Sequence, residues 1–196
     1  RQRQMCIRDR LNNDTEMIND DCLNELLSYT ERDDVGITGA RLLYEDNTVQ
    51  HAGVVIGYNG LAGHTFVGNE PDDVGYHAYV IQARDYSAVT AACLMVKASL
   101  YDEVGGFEEE LEVAFNDVDF CLKVREKGYL VVYNPYAVLY HYESKSRGYE
   151  DTPEKRNRFE KEAFFTYNKW EKILADGDPC YNPNLTLSNS DFSLRE

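Results

Sequence analysis

A chain of 196 residues is long enough to bury a real core and to form one domain, or a piece of a larger one, but short for two. Its 20 Lys and Arg against 35 Asp and Glu leave a formal charge of -15, which argues against a protein that neutralises nucleic-acid phosphates or an anionic membrane with its own side chains. A hydrophobic fraction of 43% with 12% aromatic residues excludes an acidic disordered chain.

The first ten residues, RQRQMCIRDR, have no apolar periodicity and a basic charge that clashes with everything downstream. MCIRDR resembles a translated sequencing-library adapter, so residues 1–10 are read as a non-native leader outside the packed core. From Leu11 the pattern is α/β. Residues 22–32 carry Leu23, Leu26 and Leu27 at helical spacing behind the capping types Asn19, Asp20 and Asp21. Residues 35–44 and 49–56 read as paired strands around a turn at 45–48. The glycine-rich stretch 57–87, with Pro71, reads as a long irregular excursion of the kind that is usually functional.

Residues 88–97 are the most apolar stretch and the best candidate for a central strand, followed by a short helix over 99–104 that stops at Gly105-Gly106. A helix is expected over 117–127, strands over 129–133 and 137–142, and a last helix over 153–174. Pro153 suits its first turn, and Phe159, Ala163, Tyr167, Trp170 and Leu174 form one stripe. Residues 176–196 read as an extended polar tail. The five cysteines are odd in number and include no Cys-x-x-Cys pair, which fits neither a disulfide framework nor a zinc site and points to a reducing, cytosolic setting. The longest nearly apolar run, 88–96, is about half of the roughly 20 residues a spanning helix needs.

Two acidic loops and one histidine carry the candidate chemistry. Asn12-Asn13-Asp14-Thr15-Glu16 offers oxygen ligands that suit a hard divalent cation, and equally an Asx turn or helix cap. Asn116-Asp117-Val118-Asp119 opens a helix, where Asn116 can cap and both aspartates suit the positive end of the dipole. Being two apart, Asp117 and Asp119 point in different directions, so only one of them should reach a given substrate atom. His141 falls at a strand end, with Lys145, Arg147 and Arg156 following as a small basic cluster that could face a phosphate or only solvent.

The strings LNNDTE at 11–16, LLYEDNTVQHAG at 42–53, AVTAACLMVK at 88–97, EVGGFEEEL at 103–111, AFNDVDFCLKVREKGY at 114–129, LYHYESKSRG at 139–148 and DPCYNPNLTLSNSDFSL at 178–194 resemble, in order and spacing, family 2 glycosyltransferases of the bacterial, rhamnosyltransferase-like kind. The resemblance implies a partial GT-A fold: an α/β unit with a mostly parallel central sheet and flanking helices, residues 11–175 forming the C-terminal part of that domain. The initial βαβ units that bind the nucleotide would be missing ahead of Leu11, leaving this chain weak or inactive by itself.

By the same resemblance Asp14 and His141 would hold Mg²⁺ or Mn²⁺, and Asp117 would be the general base of an inverting transfer. Asn13, Ala92, Asn116, Asp119 and Arg147 would contact donor or acceptor, with Asp119 either bonding near the acceptor or capping its helix. Ala91-Ala92 stands where relatives commonly have Gly-Ala, which puts the close backbone approach that glycine allows in doubt. The implied partners are a nucleotide-sugar donor and a glycan or lipid-linked acceptor of bacterial surface-polysaccharide synthesis, with no nucleic acid. The implied place is the cytoplasm, compatible with peripheral association of the parent protein at the inner membrane face. A non-catalytic carbohydrate- or cation-binding module and a metal-dependent phosphoesterase remain alternatives, and convergence of Asp14, Asp117 and His141 on one cleft is what separates the first of them from an enzyme.

Overall fold

The computed structural model describes residues 7–142, 152–190 and 192–195. The elements in chain order are β1 (Ile7–Leu11), β2 (Thr15–Met17), α1 (Cys22–Thr30), β3 (Val35–Leu43), β4 (Val49–His51), β5 (Val54–Ile56), β6 (Ala62–His64), β7 (Arg84–Asp85), β8 (Cys93–Lys97), α2 (Ala98–Glu103), α3 (Asn116–Glu126), β9 (Leu130–His141), α4 (Pro153–Lys169) and α5 (Glu171–Asp176). One sheet runs β1-β8-β3-β9-β2, with β4 added to β3 and β7 to β9, while β5 and β6 form a separate hairpin.

The sheet is mixed, which corrects the expectation of a mostly parallel one. β3 and β9 run parallel along most of their length, whereas β1, β2, β4, β7 and β8 all pair antiparallel. Strand direction could not be read from hydropathy here, because strands covered on both faces are nearly continuous apolar runs whichever way they point. β8 shows this: Leu94 and Val96 enter the main core with Phe120, Leu122 and Val124 of α3, while Cys93 and Met95 enter a smaller core with Cys22 and Leu26 of α1. The four cysteines among the described residues, Cys22, Cys93, Cys121 and Cys180, are free thiols.

Gly53 has φ +107 and ends β4, turning the chain out of the large sheet into the β5–β6 hairpin. A Cβ there would lie 2.4 Å from the Tyr86 ring, so glycine is required by both conformation and space. Residues 130–141, expected as two strands, are one strand whose register against β3 shifts at Ala40/Arg41.

Part of the expected leader lies on the sheet. Ile7–Leu11 pairs antiparallel with β8, Ile7 packs on the α1-side core, and Arg8 bridges Asp102 at 3.0 Å. An edge strand recruits backbone groups, which every sequence carries, so an unpatterned basic segment can complete an edge that hydropathy does not announce. Residues 176–196 likewise do not trail away as an extended tail. Asp178 Oδ2 accepts from the Ile56 N–H at 2.6 Å, and its Oδ1 accepts from Ser87 Oγ at 2.6 Å and the Cys180 N–H at 2.7 Å. Leu185 and Phe192 are buried, and Phe192 stacks between Phe66 and Tyr76 of the 57–87 excursion. No helix among the described residues is long and apolar enough to cross a membrane.

Candidate functional site

A cleft of about 480 Å³ opens where the turn after β1, the 90–92 loop, the 112–115 loop with the start of α3, and the end of β9 meet. That volume is in the range of small-molecule sites. Asn12, Gln50, His64, Thr90, Ala92, Asn116, Asp117 and His141 are among its walls.

Strand pairing brings the two distant candidates together. β2 lies antiparallel to β9 with Thr15 opposite His141, and the Tyr142 N–H donates to the Asp14 carbonyl at 2.9 Å. Asp14 Oδ1 therefore comes within 3.4 Å of His141 Nε2, and the Asn12 amide nitrogen stands 3.3 Å from the same ring nitrogen. Asp14 Oδ1 is buried and makes no hydrogen bond. A desolvated carboxylate oxygen facing an imidazole nitrogen without a hydrogen bond is a costly arrangement unless a cation or proton lies between them, so these two residues fit a divalent cation. Among the described residues no cluster of three or more His, Cys, Asp or Glu could hold a metal.

Asp117 sits in the first turn of α3, on the cleft wall. Its Oδ1 accepts from the Val118 N–H at 2.9 Å and its Oδ2 from the Ala91 N–H at 3.3 Å, which fixes the carboxylate while leaving each oxygen a further lone pair. The residue before α3, Phe115, has φ +61, a strained conformation for a bulky side chain, and lines the cleft with Phe159, its ring 5.5 Å away. Asn116 does not cap this helix: it is its first residue, and its amide donates to the Leu111 carbonyl.

Asp14 borders the cleft only through His141 and is not among its lining residues; Asp119 is placed away from it altogether. It is fully buried, accepts from Trp170 Nε1 at 2.9 Å, and pairs with Lys169 at 2.8 Å and Lys123 at 3.3 Å. Neither of its expected roles, contact near an acceptor or helix capping, is seen; it ties α3 to the end of α4. Asn13 is exposed in the turn between β1 and β2, outside the cleft lining. Ala92 is buried at the cleft, its carbonyl accepting from the Asn12 N–H at 2.9 Å. Ala91 and Ala92 both avoid positive φ, so alanine in place of glycine costs no backbone strain here. Arg147 and Lys145 lie outside the described residues.

Sequence reasoning passed over Gln50, His64 and Glu162. Gln50 stood inside the matching string LLYEDNTVQHAG, but nothing local marks a glutamine as the partner of a histidine ninety-one positions away. Glu162 is buried on α4, and its carboxylate accepts from the N–H groups of Val113 (3.3 Å) and Ala114 (2.7 Å), pinning the 112–115 loop.

No protein-family model matches the chain. It is 50% identical over 185 residues to the uncharacterized protein y4gI of Sinorhizobium fredii, covering 94% of this chain and 20% of that protein. It is 36% identical over 187 residues to the O-antigen biosynthesis protein RfbC of Myxococcus xanthus, covering 94% of this chain and 14% of that protein. The chain thus spans a fifth or less of the length of these curated relatives. Among solved structures it is similar to GalNAc-T7 in complex with UDP, GalNAc and Mn²⁺, with a TM-score of 0.54 at 11% identity over 91% of this chain and 42% of that one. The chain shares its fold, a mixed central sheet between helices, with that part of GalNAc-T7.

Proposed function

We propose that the chain carries the acceptor-side half of a metal-dependent, family 2 glycosyltransferase site of the GT-A type. In this reading it belongs to a longer protein that transfers a sugar, with inversion, from a nucleotide-diphosphate sugar to a glycan or lipid-linked acceptor in surface-polysaccharide synthesis. The observation that carries this reading is that His141, which lines the same cleft as Asp117, meets Asp14 at 3.4 Å. The O-antigen biosynthesis relative and the glycosyltransferase fold support the reaction class.

In this reading Asp14 and His141 would hold the cation beside the donor's diphosphate. When bound, Mg²⁺ or Mn²⁺ would neutralise the charge that grows on the departing diphosphate. Asp117 accepts the proton of the acceptor hydroxyl as that oxygen bonds to the anomeric carbon, on the face opposite the breaking bond to the diphosphate. Asn116 and Ala92 border the donor and acceptor from the cleft wall, Asn13 meets them only from the exposed turn outside it, and Arg147 meets a phosphate. Residues 1–10 are in this proposal a non-native leader, and the protein works in the cytoplasm, compatible with peripheral association at the inner membrane face.

The test is sugar transfer by the complete gene product, supplied with a panel of nucleotide sugars and lipid-linked or oligosaccharide acceptors in Mn²⁺. Formation of a glycoside of inverted configuration, lost in Asp14→Ala and Asp117→Asn, is the expected result. Hydrolysis of a phosphoester with no transfer to any acceptor would replace this reading with a phosphoesterase.

A further inference from the structure

Gln50 is 3% exposed, on β4, and its side-chain amide spends both ends on one residue. Its Nε2 donates to the backbone carbonyl of His141 at 3.1 Å, and its Oε1 lies 2.7 Å from His141 Nδ1. A carbonyl oxygen only accepts, so the first contact fixes which way the amide is turned. The oxygen it then presents to the ring only accepts too, so the proton of the neutral imidazole must sit on Nδ1. The Nε2 lone pair is thereby turned toward Asp14 Oδ1 at 3.4 Å and the Asn12 amide at 3.3 Å.

We infer that Gln50 is a positioning residue that sets both the tautomer and the ring plane of His141, so that β4 builds the cation site together with β9. The inference deepens the reading above and depends on it only for the cation. Metal-binding histidines are commonly oriented in this way through their second nitrogen, most often by a carboxylate or a backbone carbonyl. Here the fold uses an amide, whose second end also ties down the strand end that carries the ring. A residue that only filled space would not need both contacts: leucine or methionine would occupy the same volume.

The experiment uses ¹⁵N-labelled protein and reads the His141 tautomer from long-range proton–nitrogen correlations, assigned by their loss in His141→Asn. Mn²⁺ affinity is measured in parallel by electron paramagnetic resonance. Wild type should carry its proton on Nδ1. Gln50→Leu should release the tautomer and weaken Mn²⁺ binding about 10- to 100-fold, the usual effect of losing such a partner. Gln50→Glu, which can still accept from Nδ1, should keep the tautomer and recover most of the affinity. A wild-type proton on Nε2 overturns the inference, as does a Gln50→Leu variant with the tautomer unchanged. If wild type binds no Mn²⁺, the cation reading falls, and the tautomers of wild type and of Gln50→Glu still decide the role of Gln50. Those two proteins also decide it if Gln50→Leu does not fold.

Discussion

Asp117 and Asp119 are one residue apart from being neighbours, and on a helix that spacing turns their side chains about 200° away from each other. One faces the cleft and the other lies among Trp170, Lys169 and Lys123. Their substitutions should therefore fail in opposite ways. Asp117→Asn keeps the volume and one acceptor oxygen, so it should cost about 1 kcal/mol of stability while transfer falls about 10²- to 10⁴-fold. Asp119→Ala leaves the Trp170 indole N–H without its acceptor and takes one partner each from Lys123 and Lys169, which keep the Gly106 carbonyl and Glu108, so it should cost about 1–3 kcal/mol while the remaining folded molecules turn over near the parental rate. Melting curves beside rates per folded molecule check both; an Asp117→Asn variant that melts early yet transfers normally would make Asp117 a structural residue. His51 gives a pH signature. Burial, reinforced by His64 and His141, holds its pKa well below 6.5, so the unfolded chain binds a proton that the folded one refuses. That contribution is fully present above 6.5 and is lost as pH falls toward the folded value, by up to about 1.4 kcal/mol per pH unit. Subtracting the pH–stability curve of His51→Asn from that of wild type isolates the term, and parallel curves would refute it.

Among the elements, α4 shows how a helix can be legible while its buried face is not. The expected stripe Phe159, Ala163, Tyr167, Trp170, Leu174 holds at Trp170, which is buried, but Phe159 and Tyr167 are 42% and 48% exposed, and ahead of Trp170 the buried line is Glu162 and Thr166. The offset is one residue, and its cause is polar: Glu162 turns inward because two loop N–H groups need an acceptor, and no hydropathy pattern records that need. Glu162→Ala should leave both groups unsatisfied, lower stability by about 1–3 kcal/mol and speed amide exchange at Ala114, with Glu162→Gln milder on both counts. Unchanged exchange at Ala114 would mean that the clamp holds nothing. The same reasoning sorts the other elements. α1, β3, β8 and α3 were readable because they are runs of nine, nine, five and eleven residues whose apolar side chains enter one or other of the two cores. β6 and β7 were hidden in the excursion because strands of three and two residues carry too little pattern to exceed noise. The return of residues 178–192 onto that excursion rests on isolated anchors, Asp178, Leu185 and Phe192, at no regular spacing.

Across the whole molecule, Asp14, Asp117 and His141 were accessible from the sequence only through resemblance, since each alone reads equally well as a cap, a turn or a strand end. What local reading could not supply is the pairing of β2 with β9 that carries Asp14 to His141, and of β4 with the sheet that carries Gln50 there. Charge, by contrast, is legible without any fold. A net charge of -15 repels a nucleoside diphosphate, and the cleft adds the carboxylates of Glu112 and Asp117 to that field against the single guanidinium of Arg10. If a cation held by Asp14 and His141 receives the phosphates, UDP used as a probe should bind at least tenfold more tightly in Mn²⁺ than in EDTA, because the ion reverses the local sign of the field. Salt gives an independent sign. In EDTA, sodium chloride should raise the residual affinity by screening a repulsion, whereas a site built from lysine and arginine would lose affinity as salt screens an attraction. Calorimetric titration at low and high salt, with and without Mn²⁺, separates the two. Equal affinity in EDTA, falling as salt is added, would move the phosphate from the cation to the basic cluster of Lys145, Arg147 and Arg156, and the proposed roles of Asp14 and His141 would fall with it.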